Sequence, residues 1–200
     1  MKLKSNILLG TTNNEKIEEF LNSRILEKAR VYTLKDFSFP DVDETGKTLK
    51  ENALLKARYY FQQSGMPTIS DDSGFFVKAL NGFPGIYAAR IAPDKNFEKA
   101  KESIAERLKG ISDKSMTLST ALAYVDDKES IVIQNDVSGV YSYKTFPSKP
   151  DPFGYRDAFL PNGSSKTIAD MTPREKIIFS PRSRALTELF DRLNLNKLGA

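Results

Sequence analysis

The pattern that most constrains the fold of this chain is an alternation of short apolar runs with capped helices. An apolar run at 6–10 (NILLG) predicts a buried strand, and Thr12 with Glu15 at capping-box spacing predicts a helix from near Asn13 to about Lys28. The other predicted elements are, in chain order, a strand at 31–34, a helix from 49 ending at Gly65, a strand at 68–70, a helix from 96 to 110, strands at 116–124 and 130–141 joined by a tight turn, and helices from 173 and from 182 to about 194. This order predicts an α/β fold with a mixed sheet, in one domain over 1–200.

The composition excludes several chemistries, because the chain has no Cys and no His. Disulfides, thiol nucleophiles, zinc fingers and a Ser-His-Asp triad are therefore impossible. Acid–base chemistry must fall to Asp, Glu, Lys or Tyr. A metal bound by side chains would meet mainly oxygen ligands, which favours Mg²⁺, Mn²⁺ or Ca²⁺ over Zn²⁺.

The formal charge of +4 suits a polyanionic substrate but forms no basic stripe, so nucleic acid is not expected as a partner. No stretch is long and apolar enough to cross a membrane. The basic start at 1–4 precedes an apolar run too short for a signal peptide, and we place the protein in the cytosol.

The first chemical motif is the turn at 10–16 (GTTNNEK), where a predicted strand leads into the start of a helix. Free backbone N–H groups and the helix dipole make such a point suitable for a phosphate, which Lys16 could also reach. The motif is neither a Walker A loop nor GxGxxG, so an ordinary capped helix is the alternative.

The second motif is Asp71-Asp72-Ser73-Gly74, directly after a predicted strand. Two adjacent acids near a core need compensation, and bound Mg²⁺ is one form of it. The alternative is a surface turn, since Asp, Ser and Gly all favour turns.

Three further groups have ordinary structural alternatives. Asn52 and Lys56 share one helix face after Asp43-Glu44, which is also typical of a solvated face. The aromatic residues of 153–159 stack a base or fill a core. Basic residues from 176 to 184 surround two helix starts, as surface charge often does.

Taken together and in this order, the motifs resemble the inosine triphosphate pyrophosphatase family, which removes non-standard purine nucleoside triphosphates. The matching segments cover most of the chain: TTNNEK at 11–16, DETGKTLKENALLKA at 43–57, DDSGFFVKALNGFPGIYAAR at 71–90, FGYRDAF at 153–159 and EKIIFSPRSRAL at 175–186. The resemblance implies a two-lobed α/β fold with a long central mixed sheet flanked by helices, assembled as a homodimer. It also implies Mg²⁺, or Mn²⁺, and hydrolysis of an NTP or dNTP to the monophosphate and pyrophosphate.

The resemblance also assigns residue roles. Asp72 accepts the proton of the attacking water, with Asp71 and Lys16 beside it, although the sequence leaves open which acid takes the proton. Glu44 and Asp72 bind metal, with Asp43 as an alternative to Glu44. Phe153 stacks the base. The residues implied to bind substrate are Thr11, Thr12, Asn13, Asn14, Lys16, Lys56, Ser73, Phe153, Gly154, Tyr155, Arg156, Lys176, Pro181 and Arg182.

The chain departs from the family where the base is recognised. Arg156 replaces the Asp of FGYD, Pro181 replaces the His of SHR, Ala89 stands where Ser is common, and 149–152 (KPDP) replaces glycines. Since base discrimination depends on placed donors and acceptors, we expect retained chemistry with an altered or relaxed base preference. The alternatives are a pyrophosphatase for pyrimidine or other modified triphosphates, and a non-catalytic nucleotide-binding protein.

Overall fold

The computed structural model describes residues 6–23, 26–27, 29–92, 94, 96–151 and 154–198, with side chains described as far as 193. The strands within these residues are β1 (Asn6–Leu9), β2 (Arg30–Thr33), β3 (Thr68–Val77), β4 (Pro84–Gly85), β5 (Ser115–Val125), β6 (Ser130–Tyr141) and β7 (Phe159–Pro161). The α-helices are α1 (Asn14–Asn22), α2 (Leu49–Ser64), α3 (Phe97–Arg107), α4 (Pro173–Phe179) and α5 (Pro181–Leu198).

The seven strands found in the described part of the chain form one mixed sheet. Its order is β2-β1-β3-β5-β6-β7, and β4 pairs with β3 off this path. Strand β1 pairs in parallel with β2 and with β3, whereas β3–β4 and β6–β7 are antiparallel. The predicted mixed α/β fold is therefore confirmed.

The described residues divide into two compact units, which we treat separately. The first is drawn from Met1–Asp72, Thr120–Asn135 and Arg182–Ala200. Its core joins strand residues such as Ile7 and Leu122 to Phe20 of α1 and Leu186 of α5. The parallel register Leu8↔Thr68 sets the ends of β1 and the first part of β3 side by side.

The second unit is drawn from Ser73–Ser119 and Asp136–Pro181. Its core contains Phe75, Ile104 of α3, Tyr141 and Phe159. Tyr155 stacks on Phe75 with ring centroids 4.7 Å apart. The single domain expected over 1–200 stays a prediction.

Several sequence-predicted boundaries differ from the structure. Helix α1 ends at Asn22 rather than near Lys28, which lies outside the described residues. The Ser23 hydroxyl donates to the carbonyl of Phe20 at 2.6 Å, a side-chain bond that competes with continuation of the helix. Helix α5 extends to Leu198, beyond its predicted end.

Strand β3 gives the largest difference, because it does not end at Ser70. It runs without a break to Val77, so the prediction that the acids follow a strand end is wrong, and so is the surface-turn alternative for residues 71–74. Pairing of Phe75 with Gly85 of β4 continues the ladder beyond the acids. Ladder pairing thus overrides the turn preference of Asp, Ser and Gly.

None of the helices within the described ranges has the length and apolar character needed to span a membrane.

Candidate active site

The turn between β1 and α1 presents the start of a helix. The Asn13 side chain accepts from the backbone N–H groups of Glu15 at 2.9 Å and Lys16 at 3.2 Å. Asn13 is therefore the cap, and the predicted capping role of Thr12 is wrong by one residue. Thr11 supports the turn by accepting from the Asn13 N–H at 3.2 Å.

The side chains of this turn differ in exposure. Thr11, Asn13 and Lys16 are half-buried, whereas Thr12 and Asn14 are exposed. The start of α1 carries the positive end of the helix dipole, and Lys16 in its first turn adds a positive charge, a combination suited to an anion.

Gly10 begins this turn at a point where a side chain has no room. A Cβ atom at this position would lie 2.0 Å from the Ser70 hydroxyl oxygen and 3.1 Å from the Tyr60 ring. The Gly10 N–H donates to the carbonyl of Ile69 at 2.8 Å. The turn is thus held directly against the strand that carries Asp71 and Asp72.

We expect Gly10→Ala to lower the free energy of unfolding by about 2 kcal/mol, because the new methyl group must displace β3 or the turn. Urea unfolding of the purified variant measures the loss. Among the described residues, the buried Ser70 hydroxyl has no hydrogen-bond partner, so Ser70→Ala removes the nearest obstacle without breaking a bond. Gly10→Ala with Ser70→Ala should therefore recover part of the stability, and an undiminished loss in the double variant would contradict this explanation.

The two adjacent acids of β3 have different surroundings. Successive side chains of a strand point to opposite faces of the sheet, so Asp71 and Asp72 face different neighbours. Asp71 is 1% exposed and Asp72 is 8% exposed. The side chains that contact the two acids therefore differ, and so do the directions of their pKa shifts.

Asp71 lies among cations. Its Oδ2 atom accepts from Lys16 Nζ at 2.9 Å, and from Arg182 Nε at 3.2 Å and Nη2 at 3.0 Å. Burial by itself raises the pKa of Asp71, but the charges of Lys16, Arg182 and Lys56 outweigh it and hold the pKa well below its ordinary value. Asp71 is therefore a fixed anion that compensates buried cations.

Arg182 bridges two acids of the first unit. Its Nη1 atom donates to Glu19 at 2.7 Å, and the Ser183 hydroxyl donates to the other oxygen of the same carboxylate at 2.9 Å. The structure thus places Arg182 against Asp71 and Glu19, and its expected role in substrate binding stays a prediction. No motif in the sequence marks Glu19 as a residue of this site.

Asp72 accepts a hydrogen bond from a buried amide. Asn52 of α2, itself 1% exposed, donates from Nδ2 to Asp72 Oδ2 at 3.0 Å and accepts from the Gly46 N–H at 2.8 Å. The sequence places Asn52 on the same helix face as Lys56, but no motif marks it as a site residue. The i, i+4 spacing was the available signal, and the solvated-face alternative is wrong for the buried Asn52.

Glu44 and Lys56 complete the surroundings of Asp72. Lys56 Nζ and Glu44 Oε1 lie 2.5 Å apart in a partly buried ion pair. Burial raises the pKa of Asp72, Lys56 and Asn52 act in the opposite direction, and the charge of Glu44 raises it again, so that the net shift is upward. Asp43, the alternative metal ligand, is exposed. Within the described residues, no group of three or more acidic side chains is placed to hold a metal.

The other predicted substrate-binding residues belong to the second unit. Ser73 is half-buried and follows Asp72 in β3, Lys176 is half-buried in α4, and Pro181 is buried at the first position of α5. Phe153, the expected base-stacking residue, lies outside the described residues.

Tyr155 is a core residue, as one of the two interpretations of the 153–159 aromatics predicted. It is 8% exposed, stacks on Phe75, and donates its hydroxyl hydrogen to the carbonyl of Ala88 at 2.7 Å. Gly154 lies against the Asp151 carboxylate, which a Cβ atom at 154 would approach to 2.9 Å. Arg156 is ion-paired with the same carboxylate.

Comparison with known proteins places the chain in a family. The model of the Ham1 family matches residues 7–192. The dITP/XTP pyrophosphatase of Haemophilus influenzae is 34% identical over 197 residues, covering 96% of this chain and 100% of the relative. That of Caulobacter vibrioides is 35% identical over 189 residues, covering 92% and 95%.

Solved structures agree with the sequence comparison. The Staphylococcus aureus Ham1 protein superposes with a TM-score of 0.82 at 30% identity, covering 96% of this chain and 99% of that structure. A HAM1 protein from Coxiella burnetii gives a TM-score of 0.80 at 28% identity, covering 94% and 98%. On sequence and fold together, this chain is a member of the Ham1 family.

Proposed function

We propose that the protein is a nucleoside triphosphate pyrophosphatase, which hydrolyses non-standard purine NTPs and dNTPs of the ITP, dITP and XTP class to the monophosphate and pyrophosphate. The observation that carries the proposal is a difference between the two adjacent acids. Asp71 is ion-paired with Lys16 and Arg182, whereas Asp72 accepts from the Asn52 amide and has a raised pKa. The names of the relatives, dITP/XTP pyrophosphatase, give the substrate class.

The triphosphate binds at the start of α1. Hydrolysis of an α–β phosphoanhydride requires compensation of phosphate charge and an oriented water. The Thr11 hydroxyl and the Asn13 amide group provide neutral donors, and Lys16 and Lys56 provide positive charge near the carboxylates. Thr12, Asn14 and Ser73 complete the phosphate-binding set.

Asp72 accepts the proton of the attacking water. A carboxylate with a raised pKa is a better proton acceptor than one fixed as an anion by two cations. Asp71 instead keeps Lys16 in place beside the phosphates. We therefore propose Asp72, rather than Asp71, as the base, and Asp72→Asn tests this choice.

Glu44 and Asp72 are the residues that would hold Mg²⁺ or Mn²⁺. The fit is supported by the donor set, because Mg²⁺ is commonly bound by one or two carboxylates together with substrate phosphates. The negative charge of Glu44 is one of the causes that raise the pKa of Asp72, and Lys56, which is ion-paired with Glu44, lowers it, which supports a shared site. The ion would neutralise charge developing on the phosphates.

The base preference is altered or relaxed relative to the relatives. Arg156 carries positive charge where the family has an acid, and Pro181 cannot donate a hydrogen bond where the family has His. Pro181 is accommodated at the first position of α5, so the change affects recognition rather than folding.

A pyrophosphate-release assay over ITP, dITP, XTP, GTP, ATP and UTP tests substrate and preference together. We expect turnover of ITP and XTP, with their advantage over GTP and ATP about tenfold smaller than in the Haemophilus influenzae protein assayed beside it, because misplaced donors cost a site one to a few kcal/mol of discrimination. EDTA should abolish turnover and excess Mg²⁺ should restore it.

Each result of this panel has a defined meaning. An ITP and XTP preference as strong as that of the relative would overturn the altered preference. Higher rates with UTP would favour a pyrimidine or modified-nucleotide pyrophosphatase. Binding without any pyrophosphate release would indicate a non-catalytic nucleotide-binding protein.

The homodimer is proposed from the family resemblance alone. The proposal that it does not bind nucleic acid rests on the lack of a basic stripe, and the proposed cytoplasmic location on the short apolar run after residues 1–4. Sedimentation equilibrium of the full chain tests the dimer.

A further inference from the structure

A fully buried lysine lies in the second unit, at a position to which the catalytic proposal gives no role. Lys101 of α3 is 0% exposed. Its Nζ atom donates to both carboxylate oxygens of Asp157, at 2.9 and 2.6 Å, and to the Asp151 backbone carbonyl at 3.1 Å. It also lies 2.5 Å from Glu98 Oε1. An ammonium group has three donors, and here all of them are directed at acidic or carbonyl oxygens.

Asp157, which Lys101 holds in place, is hydrogen-bonded in turn to Asp151. Its Oδ2 atom, which accepts from Lys101, also accepts from the Asp151 N–H at 3.0 Å. Asp151 is therefore fixed on both sides of its peptide backbone: its carbonyl oxygen is held by Lys101, and its N–H by Asp157.

Asp151 in turn fixes Arg156. Its Oδ2 atom accepts from the Arg156 backbone N–H at 2.9 Å and from Nε at 3.0 Å, and its Oδ1 atom accepts from Nη2 at 3.2 Å. Such a bidentate pair sets the plane of the guanidinium group. The Asp151 side chain is 0% exposed and that of Arg156 is 26% exposed, so the pair leads from a buried anchor towards solvent.

We propose that Lys101 is a positioning residue for nucleotide recognition, which acts through Asp157 and Asp151 to fix the orientation of Arg156. This inference rests on the proposed function, in which Arg156 takes part in recognition of the base. A group that supports a binding residue determines how well that residue meets its ligand, although it never touches the ligand itself.

The alternative is that Lys101 only stabilises the fold, and two variants separate the possibilities. Lys101→Met alone leaves the buried Asp157 carboxylate without its cation, and that variant can fail to fold. Lys101→Met combined with Asp157→Asn removes both charges together, while the new amide oxygen can still accept from the Asp151 N–H. The matched control is Tyr143→Phe, which removes the 2.6 Å bond from Tyr143 to Glu98 and leaves Asp151 and Asp157 untouched.

The experiment combines hydrogen exchange with steady-state kinetics on the full chain. In the folded double variant, amide exchange at Asp151 and Arg156 should be about tenfold faster, because their restraints are weakened. KM for dITP should rise by about tenfold with kcat within about twofold, since binding geometry changes and the carboxylate centre does not. Tyr143→Phe should match the wild type in both measurements.

The outcomes distinguish this inference from the proposed function. Wild-type exchange at both amides, or faster exchange with unchanged KM, overturns the positioning role of Lys101. Absence of pyrophosphate release from every nucleotide by the wild-type protein overturns the proposed function and, with it, the recognition role, whereas the exchange rates then still report whether Lys101 anchors Asp151.

Discussion

Asp72→Asn is expected to lower kcat for pyrophosphate release by about three orders of magnitude, the range for loss of a general base. The amide cannot accept a proton from water and is a poor ligand for a hard cation. Its oxygen can still accept the 3.0 Å hydrogen bond from Asn52, so the local packing is kept. Because the pKa of Asp72 is raised in the folded protein, removal of its charge should not lower stability.

The measurement is kcat with dITP at saturating Mg²⁺, accompanied by urea unfolding of the same preparation. Asp43→Asn is the matched control, since it makes the same change at an exposed acid close to Glu44 and should keep wild-type turnover. Near-wild-type turnover in Asp72→Asn would show that another group takes the proton. A large loss in Asp43→Asn would move the metal site from Glu44 to Asp43.

Asp71→Asn is expected to affect stability rather than chemistry. We expect the free energy of unfolding to fall by about 3 kcal/mol. The substitution leaves Lys16 and Arg182 partly buried without the carboxylate that both contact, at 2.9 Å and 3.0 Å. Removal of one partner from a buried ion pair costs more than the pair contributes, because the remaining charges stay desolvated. Glu19 compensates Arg182 in part, so the larger effect should fall on Lys16.

Urea unfolding at pH 7 measures this loss, and Asp72→Asn serves as the neighbouring control with the same chemical change.

The stability that Asp71 contributes should fall as the pH is lowered. The pKa of Asp71 is lowered on folding, so its contribution is fully present above the ordinary carboxyl pKa and is lost as pH falls through the folded value. The difference between wild type and variant should therefore shrink at acidic pH. A loss below about 1 kcal/mol at pH 7 would place the ion pairs among weak surface contacts.

The contrast between these two variants follows from strand geometry. In a turn, Asp71 and Asp72 could share one metal and titrate together. In a continuous strand they point to opposite faces: Asp71 pairs with Lys16 and Arg182, whereas Asp72 accepts from Asn52, and the charge of Lys56 acts on both. We infer that one acid maintains the charge balance under the phosphate turn and that the other performs the chemistry.

The order of strands and helices could be predicted from the sequence because periodicity and capping residues are local signals. Thr48, Asn96 and Thr172 cap α2, α3 and α4, which begin within one residue of their predicted starts. The course of β3 through residues 71–74 could not be predicted, since it depends on pairing with β4 and on cations distant in sequence.

The site shows the same division between local and long-range information. The acids, Lys16 and the helix start were marked by motifs, whereas the contact of Arg182 with Asp71 joins residues 111 positions apart. The burial of Lys101 beneath Asp151 and Asp157 had no signal in the sequence, because a lysine in a helix is ordinarily exposed. Ion pairs between residues distant in the sequence therefore become visible only in the structure.

The position of bond cleavage tests the central claim most directly, and ³¹P NMR of the products formed from dITP and Mg²⁺ identifies it. We predict resonances of dIMP and pyrophosphate in equal amounts, which Asp72→Asn does not produce over the same reaction time and which Asp43→Asn produces as the wild type does. Formation of dIDP and orthophosphate would contradict the account, because the carboxylate centre would then direct cleavage of the β–γ bond.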